Sequence, residues 1–128
     1  MSVNRAVSLR TSRDRLTFDA ASGRLVSLRP LHKPGCELVE SAPADPAFII
    51  QYLDESRAFR EISSTQASAV SCQAEAGQLV FAYTGLAGLD LSASVTVRVA
   101  PDDRYSHWAL ELTNRAGLRV AFLRGGTR

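Results

Sequence analysis

Lysine is almost missing from this chain of 128 residues: Lys33 stands alone, and every other one of the 15 basic residues is an arginine. The glycine-bearing stretches Gly85 to Gly88 and Gly125 to Thr127 lack the Lys-Ser/Thr pair of a phosphate loop and follow no helix start. That excludes a nucleotide site of this kind. A guanidinium fork does suit phosphate or carboxylate. Here, however, the arginines are scattered among 13 acids and the net charge is only +2, so no basic stripe offers itself to nucleic acid. A coding sequence rich in G and C accounts for the preference for Arg and Ala. Cysteine is scarce as well. Cys36 and Cys72 are too few and too far apart for a disulfide framework and are read as reduced thiols. His32 and Cys36 have an H-x3-C spacing, but a closed tetrahedral site needs more ligands, and His107 and Cys72 bring nothing local to complete it. No metal and no cofactor are expected.

Long apolar runs are missing too. The opening MSVNRAVSLRTSRDR has no secretory core, and no segment approaches the ~20 apolar residues of a membrane-spanning helix. The expectation is a cytoplasmic chain with no membrane partner. A catalytic constellation is equally absent. Ser106 and His107 are sequence neighbours, whereas a triad meets through space with an orienting acid. Glycoside hydrolysis needs two carboxylates about 5–9 Å apart across one bond. The adjacent pairs Asp54-Glu55 and Asp102-Asp103 sit at turns, where aspartate is expected for turn chemistry alone. No catalytic residue is assigned.

What is present is a rhythm of two. Leu89, Leu91, Ala93, Val95, Val97 and Val99 alternate with Asp90, Ser92, Ser94, Thr96 and Arg98, the pattern of a strand with one face on a core. Pro101-Asp102-Asp103 breaks the ladder, and Trp108, Leu110 and Leu112 resume the apolar face. Trp108 is therefore expected in the core, and Glu111 is expected to pair with Arg98 across the hairpin. Two more hairpins precede this one, Leu16–Phe18 with Leu25–Leu28 around Ser22-Gly23, and Val70–Ala74 with Leu79–Tyr83 around Ala76-Gly77. Phe48 to Leu53, apolar on both faces, predicts a central strand. Leu118, Val120 and Phe122 begin a last one. Cys72 falls on an inward face, where a thiol acts as a small hydrophobe.

Between these elements, Pro30 to Pro46 carries four prolines and reads as a long loop with a short strand at Glu37 to Val39. Loops of that length tend to be functional or to run across another part of the protein. Residues Asp54 to Ile62 predict a helical turn from the spacing of Ala58, Phe59 and Ile62. The reading is thus an all-β protein, an antiparallel β-sandwich of about eight strands. A basic arm at 1–13 carries Arg5, Arg10 and Arg13, one domain spans 14–124, and a tail occupies 125–128.

The opening hairpin Phe18 to Leu28, of the form F-D-x-x-x-G-x-L-x-x-L, and the strand Trp108 to Asn114, WALELTN, carry a resemblance that extends over roughly Leu16 to Val120. They resemble the N-terminal galactose-mutarotase-like β-sandwich, or supersandwich, of large bacterial glycoside hydrolases and their relatives. The resemblance implies a non-catalytic, accessory sandwich domain that packs against a catalytic (β/α)8 barrel and contributes a loop near the sugar site. The family continues with further strands where this chain ends in RGGTR, so a truncated product is expected. The alternative is a free-standing carbohydrate-binding or structural module that self-associates as a homodimer through its C-terminal edge strand. Carbohydrate contacts are sought among aromatics, whose flat faces suit a pyranose. Tyr52 and Tyr83 are candidates, and the residues assigned are Tyr105, in the turn and expected to be exposed, Asp102 beside it, and Trp108.

Overall fold

A computed structural model of the chain describes residues 6–39, 46–100 and 102–125. It is an all-β protein. Ten strands occur among the described residues, in chain order β1 (Ala6–Arg10), β2 (Asp14–Asp19), β3 (Leu25–Pro30), β4 (Phe48–Leu53), β5 (Phe59–Ser63), β6 (Ala69–Glu75), β7 (Gln78–Thr84), β8 (Leu91–Arg98), β9 (His107–Asn114) and β10 (Arg119–Gly125). They form three antiparallel sheets with the orders β1-β2-β3, β10-β4-β5 and β6-β7-β8-β9. Two of these are meanders of consecutive strands. The sheet centred on β4 is assembled across a long stretch of chain, with β10 returning to pair along β4 from Arg119 opposite Leu53 to Gly125 opposite Phe48.

All three sheets feed one apolar core. The first supplies Leu9, Leu16 and Phe18, the second Phe48, Ile50 and Ile62, and the third Leu79, Phe81, Tyr83, Ala93, Val95 and Val97. Alternation along β7 and β8 explains why the third contributes most: every second side chain there is buried. Aromatic rings join the sheets. Phe18 lies 5.6 Å from Phe81, and Phe48 meets Tyr83 edge-on at 4.8 Å between ring centroids. These separations suit the quadrupoles of paired rings. The buried Tyr83 hydroxyl donates a 2.7 Å hydrogen bond to the Ser22 carbonyl in the β2–β3 turn. Gly23 follows, at φ +74, and a Cβ on it would overlap that hydroxyl and crowd the Phe81 ring. Glycine is required here both by backbone conformation and by the approach of the tyrosine.

Several expectations change. Residues 6–10, read as arm, pair with β2 from Ala6 opposite Asp19 to Arg10 opposite Arg15. The helical turn expected between Asp54 and Ile62 is a β-hairpin. Asp54 Oδ1 accepts from the Ser56 and Ala58 amides, closing a turn that leads straight into β5. Glu37 to Val39 is not a strand. Trp108 is not a core residue. It is 49% exposed, although its ring lies 5.5 Å from Phe18. It does stand on the core-facing side, opposite Val97, but β9 is an outer strand, so the cover over its ring is incomplete. Glu111 does not face Arg98. The register sets Ser94 opposite Glu111 and His107 opposite Arg98. The length of the connection between β8 and β9 fixes this, because a ladder once started admits only one set of partners. Pro101, the segment 40–45 with Pro43, Arg5 at the start of the arm, and the last three residues of the tail lie outside the described residues.

Candidate functional site

Three turns converge at one end of the first sheet. The β1–β2 turn is closed by Thr11, a buried hydroxyl whose Oγ1 accepts from the Asp14 and Arg13 amides at 2.9 and 3.1 Å. The turn is then tied to its neighbours through the backbone. The Ser12 amide donates to the Asp103 carbonyl at 2.7 Å, and the Leu31 amide donates to the Arg13 carbonyl at 2.8 Å. Between them lies a concavity of about 410 Å³, within the ~300–1,000 Å³ range of small-molecule sites. Leu31 and Leu38 supply apolar wall, Tyr105 stands at the rim, and Arg13, Asp14, His32 and the Ser12 hydroxyl provide polar groups.

Two carboxylates hold this rim in shape. Asp103 Oδ2 accepts from the Ala100 amide at 2.7 Å and lies 3.3 Å from His107 Nε2, fixing the loop that carries Tyr105. Glu37 organises the opposite wall. Its Oε1 accepts from the Ser27 hydroxyl at 2.6 Å and Arg29 Nε at 3.1 Å, and its Oε2 from the Leu28 and Val39 amides at 2.8 and 3.2 Å. The Leu38 amide in turn donates to the Leu28 carbonyl at 3.0 Å. Segment 37–39 therefore occupies the outer edge of β3 through a side chain rather than through a ladder. An edge covered in this way is closed to other strands. The Ser27 and Leu28 hydrogen bonds, followed by those from Arg29 and Val39, favour the charged carboxylate and hold the Glu37 pKa down from 4.5 to about 2.

Of the residues assigned from sequence, Tyr105 lines this concavity and is 68% exposed. Asp102 is exposed in the preceding turn and does not line it. Trp108 does not line it either; its indole Nε1 donates to the Ser106 hydroxyl at 2.7 Å. Tyr83 is buried in the core and Tyr52 borders a different cavity. Part of the proline-rich loop does reach the site, through Pro30, Leu31, His32 and Leu38. Sequence reasoning missed Arg13, Asp14, His32 and Leu38 as site residues. The one available signal was the loop, since the residues come from three separate segments joined by backbone hydrogen bonds.

Among the described residues no group of three or more His, Cys, Asp or Glu is placed to hold a metal, and no helix is long and apolar enough to cross a membrane. Cys36 and Cys72 are not joined in a disulfide. The sequence matches no protein-family model, and no curated protein matches it.

Proposed function

We propose that this chain is a non-catalytic, sandwich-type β module of the supersandwich kind found in glycoside-hydrolase-like proteins, and that it binds carbohydrate in the concavity between Arg13, Leu38 and Tyr105. One observation carries the reading. Of the six large hydrophobic residues exposed among the described residues, Leu31, Leu38 and Tyr105, at 39%, 55% and 68%, line this one hollow. Exposed apolar side chains gathered in one place mark a binding surface, whereas scattered ones do not. A pyranose fits such a surface, because its C–H face lies on an aromatic or aliphatic wall while its hydroxyls bond to groups such as Arg13, Asp14 and His32. A glycan array followed by calorimetry on the best binder tests this. Tyr105→Ala is expected to weaken binding about tenfold, the effect of losing the one aromatic contact of the hollow. The reading fails if no glycan binds, or if the variant binds like the parent protein.

A second reading, packing against a catalytic barrel or a second copy, is favoured by the open edges. β10 is an outer strand of its sheet, and Trp108 on the outer strand β9 is half exposed. Light scattering at high micromolar concentration reads the homodimer directly, and a monomer there rules out self-association as the role.

A further inference from the structure

A second cavity, of about 520 Å³, lies where the β4–β5 turn faces the β9–β10 turn. Tyr52, Asp54, Glu55, Arg57, Leu118 and Arg119 are among the residues that border it. Two of these are arginines, and they contrast with Arg60 on β5 and Arg29 on β3, which are ion-paired. Arg60 is held at 2.6 Å by Asp54 and Arg29 at 3.1 Å by Glu37. The guanidinium groups of Arg57 and Arg119 have no ion-pair or hydrogen-bond partner among the described residues. Asp54, three residues before Arg57, is already committed. Its Oδ2 accepts from Arg60 and its Oδ1 from the Ser56 and Ala58 amides. Within the lining, two unpaired guanidinium groups therefore stand against the single uncommitted carboxylate of Glu55.

The backbone adds a separate observation. Arg57 sits at φ +64, in the left-handed region, beside a turn that Asp54 clamps. A glycine would occupy that position without the Cβ penalty. Arginine holds this place on the cavity border at a cost in local conformation. Arg119, for its part, is fixed by the ladder, opposite Leu53 at the start of β10. One arginine is thus placed by a clamped turn and the other by a strand, both on the border of one hollow.

We propose that this cavity is an anion site, taking the phosphate or carboxylate group of a small hydroxylated solute between Arg57 and Arg119, with Glu55 accepting a hydroxyl hydrogen. Guanidinium forks recognise both oxyanions through paired, charge-assisted hydrogen bonds. The site is lined by different residues from the carbohydrate concavity, and either proposal stands or falls without the other.

The test is a titration of the isotope-labelled full chain at low ionic strength, followed by amide NMR. Inorganic phosphate, glucose 6-phosphate and glucuronate are the three probes. Saturable shifts confined to residues 54–58 and 115–119 are expected with at least one of them. Response to both phosphates identifies phosphate as the group; response to glucuronate alone identifies carboxylate. Arg119→Ala and Arg57→Gly should each weaken binding about tenfold. Arg57→Gly also relieves the left-handed strain, so its melting temperature should equal or exceed that of the parent protein, which separates lost binding from lost folding. Arg98→Ala, an exposed arginine on another sheet, should bind as the parent does. The proposal is overturned if none of the probes gives saturable shifts at these turns, if shifts spread equally over all exposed arginines, or if Arg57→Gly and Arg119→Ala bind unchanged.

Discussion

Where the four-stranded sheet meets the other two, aromatic rings make the contact; around the concavity, backbone amides and two carboxylates do. The first region is Phe18 on Phe81 and Phe48 on Tyr83, all buried. The second is Ser12 on Asp103, Leu31 on Arg13 and the four hydrogen bonds to Glu37, all near solvent. Buried apolar area supplies stability without direction, whereas exposed hydrogen bonds supply geometry and little net stability. The protein thus separates what holds it together from what shapes its surface. The sharpest way to break this contrast is to truncate a ring. Phe81→Ala should cost about 3–5 kcal/mol, from lost transfer energy and the cavity left behind. Urea unfolding measures it. A loss no larger than that of a rim substitution would mean that the sheets are not joined through this ring.

The same division decides what could be read from sequence. Strands β7 and β8 were legible because their alternation is the direct imprint of one buried face: Leu79, Phe81 and Tyr83, then Leu91, Ala93, Val95 and Val97. Strand β1 was not, since only Leu9 of its five residues is buried and only Val7 alternates with it, too short a run to display a period. Strand β5 was misread because Ala58, Phe59 and Ile62 mimic helical spacing, although only Ile62 is buried. What makes it a strand is the carboxylate of Asp54 in the turn before it. Trp108 shows the limit in another form. Periodicity gives the side of the sheet a residue is on, but whether another sheet covers that spot is a tertiary fact. The concavity was largely illegible for the reason given by its construction: backbone groups join its walls, and every residue has those.

Tyr83→Phe probes a core side chain that reaches out to a turn, bonding to the Ser22 carbonyl between β2 and β3. Losing the hydroxyl leaves the Ser22 carbonyl without that donor and should cost about 1–2 kcal/mol. The pH dependence has a definite sign. Burial, with smaller contributions from Cys72 and Asp19, pushes the phenol above its ordinary value near 10. A raised phenol favours the protonated form in the folded state, so its contribution is complete below pH 10 and is lost as pH rises further. Alkaline titration of stability should therefore flatten in the Phe variant relative to the parent protein.

Glu37→Gln should have the smallest global effect and the most local one. The amide keeps one acceptor oxygen but turns the other position into a donor, which cannot serve both the Ser27–Arg29 side and the Leu28–Val39 side. Roughly 1 kcal/mol or less of global stability should be lost, because these groups regain water as they lose the carboxylate. Hydrogen exchange should accelerate at the Leu28 and Leu38 amides, which close the β3 edge, while the amides of β7 and β8 stay protected. Acid should reproduce the variant. The carboxylate's pKa is depressed, so its contribution is fully present above pH 4.5 and disappears as pH falls toward about 2. Because the loop it anchors carries Leu31, His32 and Leu38 into the concavity, glycan affinity should fall in the Gln variant while the melting temperature barely moves. If exchange quickens uniformly across all three sheets instead, Glu37 supports the core as well as the rim, and the two regions are not energetically separate.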